Sequence, residues 1–208
     1  MALSFQYRSR PASLPDPARV ALFPGAWNPP TVAHLAIARA ARAWADEIVL
    51  VLPRSLPHKA FDGAAFAHRL ALLHQLAVTE PDLSVATTDG GLYFEMAAEA
   101  ERCFGPHAEI GLVCGRDAAE RIAAWDYGRP GVFGEMLARH PLLVAARAGD
   151  YVAASPHAAR IVTLPMNPSF SDVSSTEVRR RIATRDTWRH LVPDAIAGQV
   201  EVLYSEFH

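Results

Sequence analysis

Six short apolar runs, at residues 20–23, 47–52, 83–86, 109–114, 142–145 and 160–164, alternate along this chain with segments of helical periodicity. That alternation predicts an α/β fold, a parallel, doubly wound sheet whose strands are joined by helices. Helices are expected in the alanine-rich stretch after residue 31 and over residues 67–73 and 93–103. The C-terminal part is expected to be helical from about 176 to 185 and again around 194–204. No repeat, low-complexity tract or linker divides the chain. With 208 residues and 50% of them hydrophobic, one domain with a substantial core is expected over residues 19–208. Residues 1–18 hold several prolines, Arg8 and Arg10 where a leader would need a sustained apolar run, and read as a loose N-terminal extension.

Charge and cysteine content exclude further classes. A formal net charge of -2 gives no electrostatic ground for broad nucleic-acid or anionic-membrane binding. The two cysteines, Cys103 and Cys114, sit in apolar neighbourhoods without a Cys/His cluster, so no disulfide framework, structural zinc or other protein-held metal is expected. No apolar stretch is long enough to span a bilayer, and a cytoplasmic protein is the expectation. The phosphate loops Gly-x-x-x-x-Gly-Lys-Ser/Thr and Gly-x-Gly-x-x-Gly are both missing, which argues against a P-loop kinase and an ordinary dinucleotide-dependent dehydrogenase.

A nucleotide would have to be held in another way, and four stretches suggest how. The first is Phe23-Pro24-Gly25-Ala26-Trp27-Asn28-Pro29-Pro30-Thr31-Val32-Ala33-His34, which reads as strand, tight glycine turn and helix. Thr31 and His34 fall three positions apart on one face of the first helical turn, beside backbone N–H groups that favour phosphate. Thr31 could simply cap the helix. Alternatively both side chains sit beside a polyphosphate, with the His34 N–H meeting charge that develops between the α- and β-phosphates.

Pro57-His58-Lys59 follows the second strand, at the rim where ligands of doubly wound folds bind. Cys114-Gly115-Arg116-Asp117 is again strand, turn and helix, and Asp117 suits either the helix dipole or a ribose hydroxyl. Trp125, eight positions on, is either a core side chain or a flat face for an electron-poor ring. The fourth stretch is Ser174-Ser175-Thr176-Glu177-Val178-Arg179. There a Ser174/Glu177 capping box is compatible with phosphate at the helix start, and Arg179 can chelate phosphate oxygens one turn on.

In this order the four stretches resemble the nicotinate or nicotinamide mononucleotide adenylyltransferases, and the likeness runs from about residue 19 to 204. The Ser-Ser-Thr-x-x-Arg element is its most specific part. The likeness implies a Rossmann-like nucleotidyltransferase fold with C-terminal helices, over a single domain at 19–208. It implies transfer of AMP from ATP to a pyridine mononucleotide in NAD biosynthesis, with pyrophosphate released and Mg²⁺ arriving with the ATP. His34, Thr31, Lys59 and Arg179 are the implied catalytic set, Lys59 facing substrate phosphate. Gly25, Ala26, His34, Gly115, Asp117, Ser174, Ser175, Thr176 and Arg179 are expected to bind ATP. Asn28, Lys59, Thr88, Asp89 and Trp125 are expected to bind the mononucleotide.

The chain departs from the bacterial pattern: Thr31 stands for the first histidine, Ala33 for a glycine, Trp27 for a phenylalanine and Arg116 for a small or amide residue. Thr87-Thr88-Asp89 matches the loop after the third strand only in part. The acceptor therefore stays open between the nicotinate and nicotinamide forms. A pantetheine-phosphate or cytidylyl transferase of the same superfamily and a non-catalytic nucleotide sensor are the alternatives, and assembly into a homo-oligomer is compatible with the sequence.

Overall fold

Each of the six apolar runs forms a strand of one sheet. The computed structural model describes residues 3–9, 14–55, 63–146 and 157–205. In chain order the regular elements are β1 (Ser4–Tyr7), β2 (Arg19–Pro24), α1 (Val32–Ala41), β3 (Glu47–Pro53), α2 (Phe66–Val78), β4 (Leu83–Thr88) and α3 (Tyr93–Phe104). They continue with β5 (Glu109–Gly115), α4 (Arg116–Ala124), α5 (Val132–Arg139), β6 (Leu142–Ala145), β7 (Ile161–Leu164), α6 (Ser175–Ala183) and α7 (Asp194–Ser205). The strand order is β1-β4-β3-β2-β5-β6-β7, with β2 to β7 parallel.

The central strands are buried on both faces, as a parallel sheet wrapped by helices requires; every residue of β3 is buried. Successive residues of a strand feed two separate cores. Ala21, Phe23, Ile48 and Leu50 pack with α1, α2, α6 and α7 on one face. Val20, Leu22, Val49 and Val51 pack with α3, α4 and α5 on the other.

From β2 the chain winds outward through β3 and β4, then returns through α3 to β5, which pairs with β2 on its other side. The winding reverses at that β2/β5 pair. Helix α1 leaves one face and α4 the other, so their starts part above the carboxyl ends of these strands. That crevice is where ligands of doubly wound folds sit.

Two expectations need correction. Residues 4–7 are not a loose extension: β1 pairs antiparallel with β4 through Ser4 opposite Thr87 and Phe5 opposite Ala86. A bulge between Phe5 and Tyr7 sends these two rings into different cores. Arg8 then reaches the fully buried carboxylate of Glu47 at 3.1 Å. In addition, α5 forms where no helix was expected. Its eight residues follow Pro130 and Gly131, too short a stretch for periodicity to register.

Candidate active site at the crest of the sheet

The turn from β2 to α1 is built around a buried indole. Trp27, only 1% exposed, has φ +53°, a conformation that costs a bulky residue about 1–3 kcal/mol. Several contacts hold it there. Its Nε1 donates to the Val51 carbonyl at 2.8 Å, the same oxygen that accepts from the Gly25 N–H at 3.1 Å. Phe23 meets its edge at 5.0 Å, and the imidazole of His34 lies 5.1 Å away, tilted by 52°. A Cβ on Gly25 would come within 2.9 Å of the indole, so glycine is needed here for the tryptophan as well as for close backbone approach.

Asn28 is buried and faces inward. Its Oδ1 accepts from the Tyr204 hydroxyl at 2.6 Å and from the Ala64 N–H at 3.2 Å. Gly63 passes so close that a Cβ would lie 1.9 Å from the Asn28 amide nitrogen. The same turn is held from three helices. Arg179 of α6 donates to the Asn28 carbonyl at 2.6 Å, and Ser175 Oγ to the Pro29 carbonyl at 2.7 Å. Arg69 of α2 donates to the Ala26 carbonyl at 2.8 Å, and Tyr204 belongs to α7. The first and last motifs of the sequence therefore form one structural unit.

Within this frame His34 has a defined tautomer. Thr31 caps α1, its Oγ1 accepting from the His34 N–H at 3.3 Å. In return the Thr31 backbone N–H donates to His34 Nδ1 at 3.1 Å, and Thr31 Oγ1 lies 2.7 Å from the same nitrogen. A backbone N–H can only donate, so its contact with Nδ1 requires the lone pair of that nitrogen to be free of a proton. Nδ1 is thus an acceptor, and the neutral imidazole carries its proton on Nε2. Thr31, read as either a cap or a phosphate neighbour, is a cap with no exposed surface.

Above the crevice lies a cavity of about 480 Å³ lined by His34, Gly115, Asp117, Arg121, Ser171 and Ser174, among others. It joins the starts of α1, α4 and α6, all three at the carboxyl end of the sheet. Ser174 caps α6 by accepting from the Glu177 N–H at 3.1 Å. The expected reciprocal arm is missing, because Arg180 and Arg181 take the Glu177 carboxylate at 2.8 and 2.6 Å and hold its pKa at about 2. Burial lifts the Cys114 thiol and the Tyr93 phenol, both on the cavity wall, above their ordinary ranges, so both are uncharged at neutral pH. Asp117 is the single carboxylate on the cavity wall among the described residues, and they include no group of three His, Cys, Asp or Glu able to hold a metal.

Of the residues expected from sequence, His34, Gly115, Asp117 and Ser174 meet at this cavity. Gly25, Ala26, Thr31, Ser175 and Arg179 lie behind it, in the turn or clasping it. Thr176 Oγ1 accepts a long hydrogen bond of 3.4 Å from Arg179. Among the described residues, the structure does not bring the expected mononucleotide set to the same wall. The Asn28 amide is turned inward, and Thr88 is buried with its hydroxyl donating to Glu99 at 2.9 Å. Asp89 stands on the surface, 3.5 Å from Arg54. Trp125 borders a separate cavity of about 400 Å³ in the loop after α4. Lys59, with Pro57 and His58, lies outside the described residues. Sequence reasoning missed Arg121, Tyr93 and Ser171 as lining residues. Of these, only Arg121 carries a signal, standing four positions after Asp117 on one helix face.

No helix among the described residues is long and apolar enough to cross a membrane. The Cytidylyltransferase-like family model matches residues 22–181. A protein of Salinibacter ruber named probable nicotinate-nucleotide adenylyltransferase is 31% identical over 190 residues, covering 88% of this chain and 94% of its own. One of the same name from Thermus thermophilus is 31% identical over 195 residues, covering 88% and 96%. The structure of Plasmodium falciparum nicotinic acid mononucleotide adenylyltransferase complexed with NaAD superimposes with a TM-score of 0.68 at 14% identity, covering 92% of this chain and 98% of that one, which shows the shared fold. The chain therefore belongs to the cytidylyltransferase-like family and, within it, to the nicotinate-nucleotide adenylyltransferases.

Proposed function

We propose that the chain transfers the adenylyl group of ATP to nicotinate mononucleotide, or to its nicotinamide counterpart, and releases pyrophosphate in NAD biosynthesis. The observation that carries this reading is the imidazole of His34, fixed with its proton on Nε2, on one cavity wall with Gly115, Asp117 and the start of α6. A phosphate oxygen of the mononucleotide bonds to the α-phosphorus of ATP. The bond from that phosphorus to the bridging oxygen breaks, and its electron pair leaves with pyrophosphate. A phosphate nucleophile is already ionised at neutral pH, so the protein supplies position and charge compensation more than a base.

In this reading His34 donates from Nε2 to the oxygens around the breaking bond, where negative charge grows. The Ser174 end of α6 and the helix dipole behind it receive phosphate. Asp117 meets the ribose of ATP, and Trp125 stacks on the acceptor ring. Lys59 counters phosphate charge, a role it takes from the family likeness. Arg179 acts through the turn that it holds. Mg²⁺ enters as part of the ATP substrate and neutralises its phosphates.

Pyrophosphate release from ATP and Mg²⁺ with each pyridine mononucleotide tests the reading, with CTP and phosphopantetheine as competing substrates. Turnover confined to CTP or phosphopantetheine would replace it by a neighbouring transferase. Tight ATP binding without release on any acceptor would make the protein a sensor.

A further inference from the structure

Arg121 lines the cavity as a cation that, like the carboxylate of Asp117 one turn before it, has no paired partner among the described residues. It makes no hydrogen bond or ion pair with any described residue, whereas the neighbouring Arg116 is held by Glu120 at 3.1 Å. Asp117 and Arg121 stand four residues apart on one side of α4, Arg121 about 6 Å further from the sheet crest, and Trp125 follows as the extended residue that ends the helix. Asp117 and Arg121 line the cavity that holds His34, and Trp125 borders the separate one in the loop after α4.

The far end of α4 is tied to the start of α3. The Tyr127 ring meets Phe94 edge-on at 6.0 Å, and Tyr93, beside Phe94, forms cavity wall together with Arg121. Arg121 and Tyr93 thus line the cavity from α4 and from the start of α3, which follows the loop after β4. Burial raises the Tyr93 phenol and the Cys114 thiol, and the positive charge of Arg121 offsets part of that rise.

We propose that Arg121 selects the acid form of the pyridine mononucleotide by pairing its guanidinium with the ring carboxylate. This deepens the adenylyltransferase reading and rests on it. If the acceptor phosphate meets ATP beside His34 and its ring reaches Trp125, the exocyclic group of the ring lies one helical turn from Trp125, where Arg121 stands. A carboxylate there accepts two parallel N–H bonds from a guanidinium, which a carboxamide cannot do with equal strength. Arg121 is a specificity residue in this scheme; the bond making and breaking stays with the groups around His34.

The test uses the full chain with Arg121→Gln and Arg121→Lys. Arg121 is exposed and unpartnered, so neither change should disturb folding. Pyrophosphate release gives kcat/KM for the nicotinate and nicotinamide mononucleotides, and calorimetry gives the Kd of each. In Arg121→Gln the acid-to-amide ratio should fall about 10- to 100-fold by both measures, and Arg121→Lys should restore part of it. An unchanged ratio, or equal losses with both acceptors, would overturn the assignment and make Arg121 a phosphate contact or a bystander. The binding arm separates the two ideas. Wild-type protein that prefers the acid in binding but releases no pyrophosphate would sink the transferase reading while leaving Arg121 to be judged by its own variants. Wild-type protein that binds the two forms equally would sink the Arg121 proposal alone.

Discussion

Arg179 donates through Nη1 to the main-chain carbonyl of Asn28 at 2.6 Å, across 151 positions of sequence. The arginine of the last motif thus supports the turn that presents His34, where the sequence alone suggested direct phosphate chelation. Arg179→Lys keeps the charge but loses the planar fork. A part-buried, charge-assisted hydrogen bond of this kind is worth about 1–2 kcal/mol, a fall of roughly 2–8 °C in melting temperature for a chain of this size. Turnover should fall by tenfold or more, because the His34 turn loosens with it. A variant that melts like wild type while turnover drops would show that Arg179 acts on phosphate and not on the turn.

The architecture of the site was legible in the sequence where several weak signals agreed. Gly25, Thr31 and His34, then Gly115 and Asp117, then Ser174, each read as strand, turn and helix start, and a doubly wound sheet leaves such turns at one rim. Side-chain direction was not legible. Asn28 looks polar and loop-bound in sequence, yet the positive φ of Trp27 and the approach of Gly63 turn it inward to Tyr204. Thr88 ends β4 two residues beyond the apolar run at 83–86, and its hydroxyl goes to Glu99. Strand β1 escaped notice because four residues give two alternations at most, and a bulge spoils one of them.

That short strand brings Arg8 to Glu47, which has no exposed surface and also accepts from Ser84 Oγ at 2.5 Å. Arg8 further covers the rings of Phe5 and Phe104, at 4.7 and 5.0 Å from their centroids. Breaking a buried pair from one side leaves a charge without compensation, at about 3–5 kcal/mol when both partners are enclosed. Arg8 is about a quarter exposed, so Arg8→Ala should cost roughly 1–3 kcal/mol. Urea unfolding checks this. A change below about 0.5 kcal/mol would mean that residues 4–8 add nothing to the folded sheet.

His140 predicts how stability responds to acid. Burial is the main cause that holds its pKa below the ordinary value, and Glu101 at 3.6 Å only partly opposes it. The folded form therefore keeps the imidazole neutral at a pH where the unfolded chain takes up a proton. Stability contributed by the neutral ring is complete above about pH 6.5 and is lost as the pH falls toward the lower folded pKa. Between pH 7.5 and 5.5 the urea midpoint of wild-type protein should drop more than that of His140→Phe. Parallel declines would show that other groups govern this range.

The last prediction concerns the tautomer of His34. Its Nδ1 accepts from the Thr31 N–H, so nitrogen-15 NMR of the imidazole should show an unprotonated Nδ1 and a protonated Nε2 at pH 8. A proton on Nδ1 would remove the donor on which the proposed chemistry depends. His34→Ala should lower kcat by about 10²- to 10³-fold, with a much smaller change in ATP affinity, since the donor acts on charge that grows only during transfer. Thr31→Val leaves the backbone N–H on Nδ1 but removes the hydroxyl that caps α1, so about 1 kcal/mol of stability should go. Turnover should suffer less than in His34→Ala, and Thr31→Ser should restore both. Equal losses of kcat and ATP binding in His34→Ala would place the imidazole in ground-state binding, and the role given to Nε2 would fail.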